Sequence, residues 1–545
     1  MKTIKYKIVL IAVISALITG FSSCLDDLNT VPLDKEELVS DIVFGDEIGP
    51  YQELLAKIYA GLTISGNSGG DGDADVAGVD GGSQASFLRG LWNLQQLPTD
   101  EAHCCWIQND VGIGDLNSIT WSSSNVFIKG LYYRLYYQVN LSNAFLRETT
   151  DENLSSRGVS EADKATIKTY RAEARFLRAL SYYYLLDFFR NVPFVTEENK
   201  VGSELPSQTQ ATDLFRYIEK ELIECEPDML DPFVGYDTKN YGHAHKAANW
   251  ALLSRLYLNA ETYIGEKKYT ESITYSKKVL AENYELDLVY ANVFKADNQK
   301  SVEMIFPIRY EGEDTQTWGG MTFLLCSTVP SIMQAEINAV GAWQGNRARS
   351  SLFKSFQKEN QYEKDNRFSM VLVDKTANIE IVDQLLFTDN GIPVVKYSNA
   401  NSDGTLPASN IVYTDFPLFR LGEIYLNYAE AVLRGGAGGD EATALQLVND
   451  LRTRAYTTAN ASSATITSGQ LNLNFILDER SREFFFEGQR RTDLVRFGKF
   501  TGSSYIWPWK GAAAEGKTVS DIYKVYPIPA DDIGANKNLT QNTGY

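Results

Sequence analysis

The sequence predicts an all-α fold: a superhelical scaffold of tetratricopeptide-like helical hairpins with long loop-rich insertions packed against it. Three observations carry this. In RAEARFLRALSYYYLLDFFRNVPFV (171–195), Phe176, Leu177, Leu180, Tyr184, Leu185 and Phe188 recur at three- and four-residue steps, which makes one apolar stripe on a helix. AANWALLSRLYLNAETY (247–263) and YTESITYSKKVLAEN (269–283) read as two helices joined near Gly265, with alanines where a neighbour approaches closely. The same build returns at 416–433 (FPLFRLGEIYLNYAEAVL) and 441–455, across Gly435-Gly436. The hairpins are too unevenly spaced for a regular array. Segments 285–410 and 456–545 are therefore additions to the scaffold.

Taken in order, residues 1–23 read as a secretory signal. Lys2, Lys5 and Lys7 precede an apolar run at 8–18 that is too short to span a bilayer. Gly20-Phe21-Ser22-Ser23-Cys24 resembles a lipobox, with Phe21 in place of the usual leucine, so Cys24 is the expected lipidation site. Residues 24–50 read as a polar, acidic tether, and 51–545 as a single domain. Past the leader no 18-residue apolar run occurs, so the expectation is an anchored chain and not a spanning one.

A helical pattern at 51–62 leads into a Gly- and Asp-rich loop at 65–83. Its Asp71, Asp73, Asp75 and Asp80 lack the closing glutamate of an EF-hand loop. Leu97-Pro98-Thr99-Asp100-Glu101, followed by Trp106, reads as an exposed loop. Tyr132, Tyr133, Tyr136, Tyr137, Val139 and Phe145 mark a long helix before the central one. In the central helix Arg171, Glu173, Arg175 and Arg178 lie off the apolar stripe, and Asn191 with Pro193 ends it. Another helix begins at 212–224.

The chemistry-bearing stretch is 300–350. A short strand or turn around 302–308 precedes Trp318-Gly319-Gly320. Gly341-Ala342-Trp343-Gln344-Gly345 follows, with Arg347 and Arg349 close behind. A tryptophan beside glycine in a polar loop is badly placed for core burial. It is well placed to offer a flat ring to the C–H face of a sugar. The plainer alternative is a loop anchored by its own aromatic. In 476–500, Glu479, Glu483 and Glu487 share one helical face, and paired carboxylates are what a glycosidase needs. Arg480, Arg482, Arg490, Arg491 and Arg496 keep such carboxylates ionised, so the segment reads as an ion-pair network.

Composition narrows the partners. The chain carries a formal charge of −19, which loss of Lys2, Lys5 and Lys7 takes to −22. That charge argues against nucleic acid, and a neutral or weakly polar ligand fits better. Cys104, Cys105, Cys225 and Cys326 make no disulfide framework, and His103-Cys104-Cys105 lacks zinc spacing. No motif calls for a cofactor or metal, and no nucleotide loop or catalytic elbow occurs.

Several blocks together resemble the SusD/RagB family of surface lipoproteins: 171–195, FRLGEIYLNYAEA at 419–431, ERSREFFFEGQRRTDLVRFGKF, and YPIPADDIGANKNLTQNTGY at 526–545. The resemblance implies a non-enzymatic glycan-binding lipoprotein on the outer face of the outer membrane. Asp26 and Asp27, just after Cys24, resemble the family's export tag. It also implies a partner, a SusC-like TonB-dependent outer-membrane transporter that receives the oligosaccharide. LPTDE at 97–101, SITW at 118–121, FPIR at 306–309 and YIWPWKG at 505–511 resemble the family's starch-binding member. Ligand contacts are thereby implied at Trp318, Trp343, Trp106, Arg89 and Asn109, with starch or malto-oligosaccharide, an α-glucan, as ligand. Cys104 stands where that member has the first tryptophan of a Trp-x-Trp pair. The resemblance also offers a structural calcium, for which Asp297 is the candidate beside its reading as a turn residue. Laminarin, fructan and peptides on the same scaffold remain alternatives, and a surface glycosidase a further one.

Overall fold

A computed structural model describes residues 43–545, apart from 68, 71–73, 200–201, 203, 237–238, 372–377, 387–389, 408–410 and 457. The signal, Cys24, most of the 24–50 tether, Asp71 and Asp73 lie outside the described residues.

The scaffold is helical, and the expected hairpins are present. Val126–Glu148 packs along Glu161–Phe189, which in turn packs on Ala211–Cys225. Lys246–Leu258 pairs with Tyr269–Leu280, and Leu421–Leu433 with Glu441–Tyr456. Packing of Tyr269–Leu280 against Leu421–Leu433 joins the last two hairpins, so the intervening 140 or so residues loop out. Gly265 closes the middle hairpin's first arm in the left-handed region, φ 73°.

The central helix begins at Glu161, fifteen residues before Phe176 opens the apolar stripe. The Ser160 hydroxyl accepts from the Asp163 N–H at 3.1 Å as its N-cap. It ends at Phe189, where Arg190 turns to φ 62° and Val192–Pro193 pairs with Gln208–Thr209. Two charges expected off the stripe are buried instead. Glu173 and Arg178 are each 1% exposed, because helices pack on this element from several sides. Both are paired: Arg178 with Glu221 at 2.6 Å and with Glu197, and Glu173 with His243 at 2.8 Å and the Tyr59 hydroxyl.

Three further readings are corrected. Phe416–Arg420 is a strand, antiparallel to Met304–Ile308, and the helix starts only at Leu421. Pro417 explains this, since it has no amide proton and holds Phe416 extended. The 97–101 loop is buried, not exposed, because the C-terminal addition folds over it. Arg490 pairs with Asp100 at 2.8 Å, and Tyr505 donates to the same carboxylate at 2.6 Å. Finally, helix Leu473–Phe484 stops before Glu487, as the chain turns at Phe486 (φ 63°) and Gly488 (φ 72°).

The ion-pair network survives that turn. Glu479 meets Arg367, Arg452 and Arg482, each at 2.8 Å, and Glu483 meets Arg367 at 2.8 Å with Arg420 and Arg454 at 2.7 Å. Glu487 meets Lys396 at 2.5 Å and Arg420 at 2.7 Å. Burial alone pushes the Glu483 carboxyl up. The guanidiniums of Arg454, Arg420 and Arg367 outweigh it and hold the group at about 2. The network ties both long insertions to the scaffold and keeps Glu479 and Glu483 ionised, which suits a brace and not a proton donor.

Candidate functional site: a file of three tryptophans

A two-stranded ladder brings two of the predicted tryptophans together. Ala102–Cys104 runs antiparallel to Asn346–Ala348, with Cys104 opposite Asn346. One step further the Cys105 N–H donates to the Gly345 carbonyl at 2.9 Å. Trp106 then opens a short 3₁₀ turn, Trp106–Gln108, while Trp343 leaves the other strand at the same end. Gly345 lies flat on the Trp106 ring: a Cβ there would stand 1.9 Å from Cε2. The glycine is required by that approach and by nothing in its own dihedrals.

The third tryptophan arrives on a separate loop. The Gly319 carbonyl accepts from the Ser86 hydroxyl at 2.6 Å and from the Arg89 N–H at 3.1 Å, which docks the loop on the start of helix Phe87–Gln96. Trp318 is tied to the 65–83 loop through its N–H to Gly70 at 3.0 Å. Helix Met321–Cys326 follows, and the Cys326 carbonyl accepts from the Trp343 N–H at 2.9 Å.

The rings stand in single file. Trp106 and Trp343 have centroids 6.4 Å apart and planes tilted by 52°, and Trp343 and Trp318 are 6.1 Å apart at 58°. All three are half-buried. Phe323 supports the file from below at 6.4 Å from Trp106. Adjacent planes turned by more than fifty degrees make a faceted surface and not a flat shelf.

The two polar residues singled out with them sit differently. Asn109 is exposed, at the end of the turn that carries Trp106. Arg89 is 7% exposed, paired with Asp110, and its guanidinium lies 4.6 Å over Phe323 and 5.9 Å from the Trp106 ring. Asn109 thus lies at the rim, and Arg89 under the file. Sequence reasoning missed Asp110, although its N–H bonds back to the Trp106 carbonyl at 2.8 Å, one turn on. It also passed over Arg349 as a support. That side chain is 1% exposed and donates to the carbonyls of Ala102 and Pro508 at 2.7 Å and of Asn117 at 2.8 Å. Burial lowers its pKa to about 9. It fixes the ladder behind Trp106 from three segments at once.

The metal-like groups have ordinary work. His103 is buried, which lowers its pKa to about 3, and its Nε2 bonds to the Gln384 carbonyl at 3.1 Å. Cys104 and Cys105 are buried free thiols. Asp297 accepts from the Ser402 N–H and hydroxyl at 2.7 Å and pairs with Lys300 at 3.1 Å. Among the described residues no cluster of three or more His, Cys, Asp or Glu is set to hold a metal, and no helix is long and apolar enough to cross a membrane.

Comparisons bear on this architecture. The SusD family model matches residues 235–545. The starch-binding protein SusD of Bacteroides thetaiotaomicron is 36% identical, with 98% of each chain covered. SusD-like protein P2 of Formosa agariphila is 23% identical over 79% of this chain and 83% of its own. Among solved structures, surface glycan-binding protein A from Bacteroides thetaiotaomicron in complex with laminarihexaose superposes with a TM-score of 0.67 at 22% identity. That match covers 90% of this chain and 98% of that one. A laminarin-binding SusD-like protein does so at 0.68 and 19%, covering 92% and 100%. The last two comparisons concern the fold.

Proposed function

The chain belongs to the SusD family, and from that premise we propose that it is a non-enzymatic glycan-binding lipoprotein on the outer face of the outer membrane. It captures starch or malto-oligosaccharide, an α-glucan, and passes it to a SusC-like TonB-dependent transporter. The observation that carries the reading is the file of Trp106, Trp343 and Trp318. Rings stepped at 6.4 and 6.1 Å and tilted by 52° and 58° suit a chain that curves as it runs. A flat, extended β-1,4 chain asks for coplanar rings, which this site does not offer. Half-buried indoles supply apolar faces to sugar C–H groups, with Asn109 at the rim for a hydroxyl. The likeness to a starch-binding relative over almost the whole chain supports the same ligand class. Cys24 supplies the anchor in this reading, and the signal before it the route out of the cell.

The test is a calorimetric panel on the soluble chain from residue 25, with maltoheptaose, laminarihexaose and an inulin oligosaccharide. Saturable heat with maltoheptaose, at least tenfold tighter than with the others, is expected. Preference for laminarihexaose keeps the class and removes starch. Silence from all three removes the glycan reading.

A further inference from the structure

We propose that the chain carries a second glycan-binding groove, along the outer stripe of helix Val126–Glu148 and apart from the tryptophan file. The proposal rests on the glycan reading above. Along this helix Tyr133, Tyr136, Asn140, Asn143 and Arg147 fall at alternating three- and four-residue steps, which sets them on one face. At 1.5 Å per residue that stripe runs about 21 Å. It lines a groove of about 660 Å³, within the size range of ligand sites.

The two ends of the far wall, at 193–195 and at Pro206, are tied down. Tyr136 donates to the Pro193 carbonyl at 2.5 Å, Asn143 to that of Val195 at 3.3 Å, and Asn536 to that of Pro206 at 2.8 Å. Groups held by such bonds have little ordering left to do when a ligand enters. Its composition then says what enters. Tyr133 offers a half-buried ring, and Asn140 an exposed amide with no partner among the described residues. Arg175 and Arg178, nearby in the scaffold, are paired with Glu221, whereas Arg147 has no carboxylate partner among the described residues. Asp532 lies at the other end of the groove. Burial raises its pKa, against the lowering effect of the Tyr132 and Tyr133 hydroxyls.

One cation, Arg147, against two acids, Glu204 and Asp532, leaves the groove with a small negative charge, which disfavours an anionic ligand. A peptide seeks free main-chain carbonyls, and those of Pro193 and Val195 already accept from Tyr136 and Asn143. A linear neutral oligosaccharide matches what is left: a ring for C–H faces, and an amide and a guanidinium for hydroxyls. Two sites on one chain let a long glucan bind at two points, which strengthens polymer binding through effective concentration.

The experiment compares four soluble proteins: wild type, Tyr133→Ala/Asn140→Ala, Trp318→Ala/Trp343→Ala, and all four substitutions together. Each is titrated with maltoheptaose and run through gels containing amylose. Melting temperatures check the fold, and Arg147→Ala replaces the groove variant should that one melt early. The tryptophan variant is expected to keep a weak saturable site that the combined variant loses. The groove variant is expected to lose about tenfold in amylose affinity with little change toward maltoheptaose. A groove variant indistinguishable from wild type on both ligands, or a tryptophan variant with no residual binding, overturns the second groove alone. A wild type that binds neither ligand removes the glycan reading, and this inference with it.

Discussion

At Gly345 the space for a side chain is zero, because a Cβ would meet Trp106 Cε2 at 1.9 Å. Alanine there must push either the ring or the ladder aside. A cost of about 1–3 kcal/mol in stability is expected from such overpacking, together with weaker maltoheptaose binding. Urea unfolding and titration of Gly345→Ala check both, and unchanged values on both contradict the packing described. Arg349 gives a second prediction at this scale. Arg349→Met keeps the stem but drops the contacts to four carbonyls, of Leu97, Ala102, Asn117 and Pro508, so affinity should fall more steeply than for Arg349→Lys, which keeps a donor. Tryptophans flanked by glycine were legible in the sequence, since that pairing suits no core. The state of Arg89 was not. A sequence displays the charge of Arg89 and hides Asp110 and Phe323, which take that charge under the file. The buried 97–101 loop was misread for the same reason: Arg490 and Tyr505, which cover Asp100, lie about 400 residues on.

Among the elements, the hairpins were readable because their apolar period is local and strong. The strand Phe416–Arg420 was not, since its five residues merge into a following helix of the same apolar character. Pro417 was the available signal. Phe419 is fully buried there, 6.3 Å from Phe306 and under the Arg255 guanidinium at 4.2 Å. Phe419→Ala is expected to cost about 3–5 kcal/mol, read from the denaturation midpoint. Glu483, at the end of helix Leu473–Phe484, makes a pH prediction. Glu483 is held at about 2 in the folded chain, against about 4.3 when unfolded. A carboxylate with a depressed folded pKa stabilises above its unfolded value, and that stabilisation is lost as pH falls through the folded one. The contribution of this group should therefore hold from pH 7 to 5 and be lost between pH 4 and 2, by about 3 kcal/mol. Glu483→Gln, which leaves Arg420, Arg454 and Arg367 short of a partner, should cost about 3–5 kcal/mol at pH 7 and flatten that slope. An unchanged slope in the variant contradicts the assignment.

Over the whole molecule, a charge of −19 coexists with a candidate site whose exposed surface is aromatic and amide. A neutral glucan on that surface feels no long-range field, so maltoheptaose affinity should stay within about twofold from 0.05 to 0.5 M NaCl. A steep salt dependence points instead to a charged ligand. The scaffold places the site by indirection: the tryptophans belong to loops, and loops are held by Arg349, Gly319 and the 102–104 ladder instead of by the hairpins themselves. Which loops meet is a long-range fact, and no local pattern in the sequence announces it. The measurement that tests the account most directly is a titration of maltoheptaose into the soluble chain and into Trp318→Ala/Trp343→Ala. Saturable binding in the wild type that weakens at least fiftyfold in the variant, with an unchanged melting temperature, is the predicted result. Equal affinity in the two proteins places the glucan elsewhere and contradicts the tryptophan file as its site.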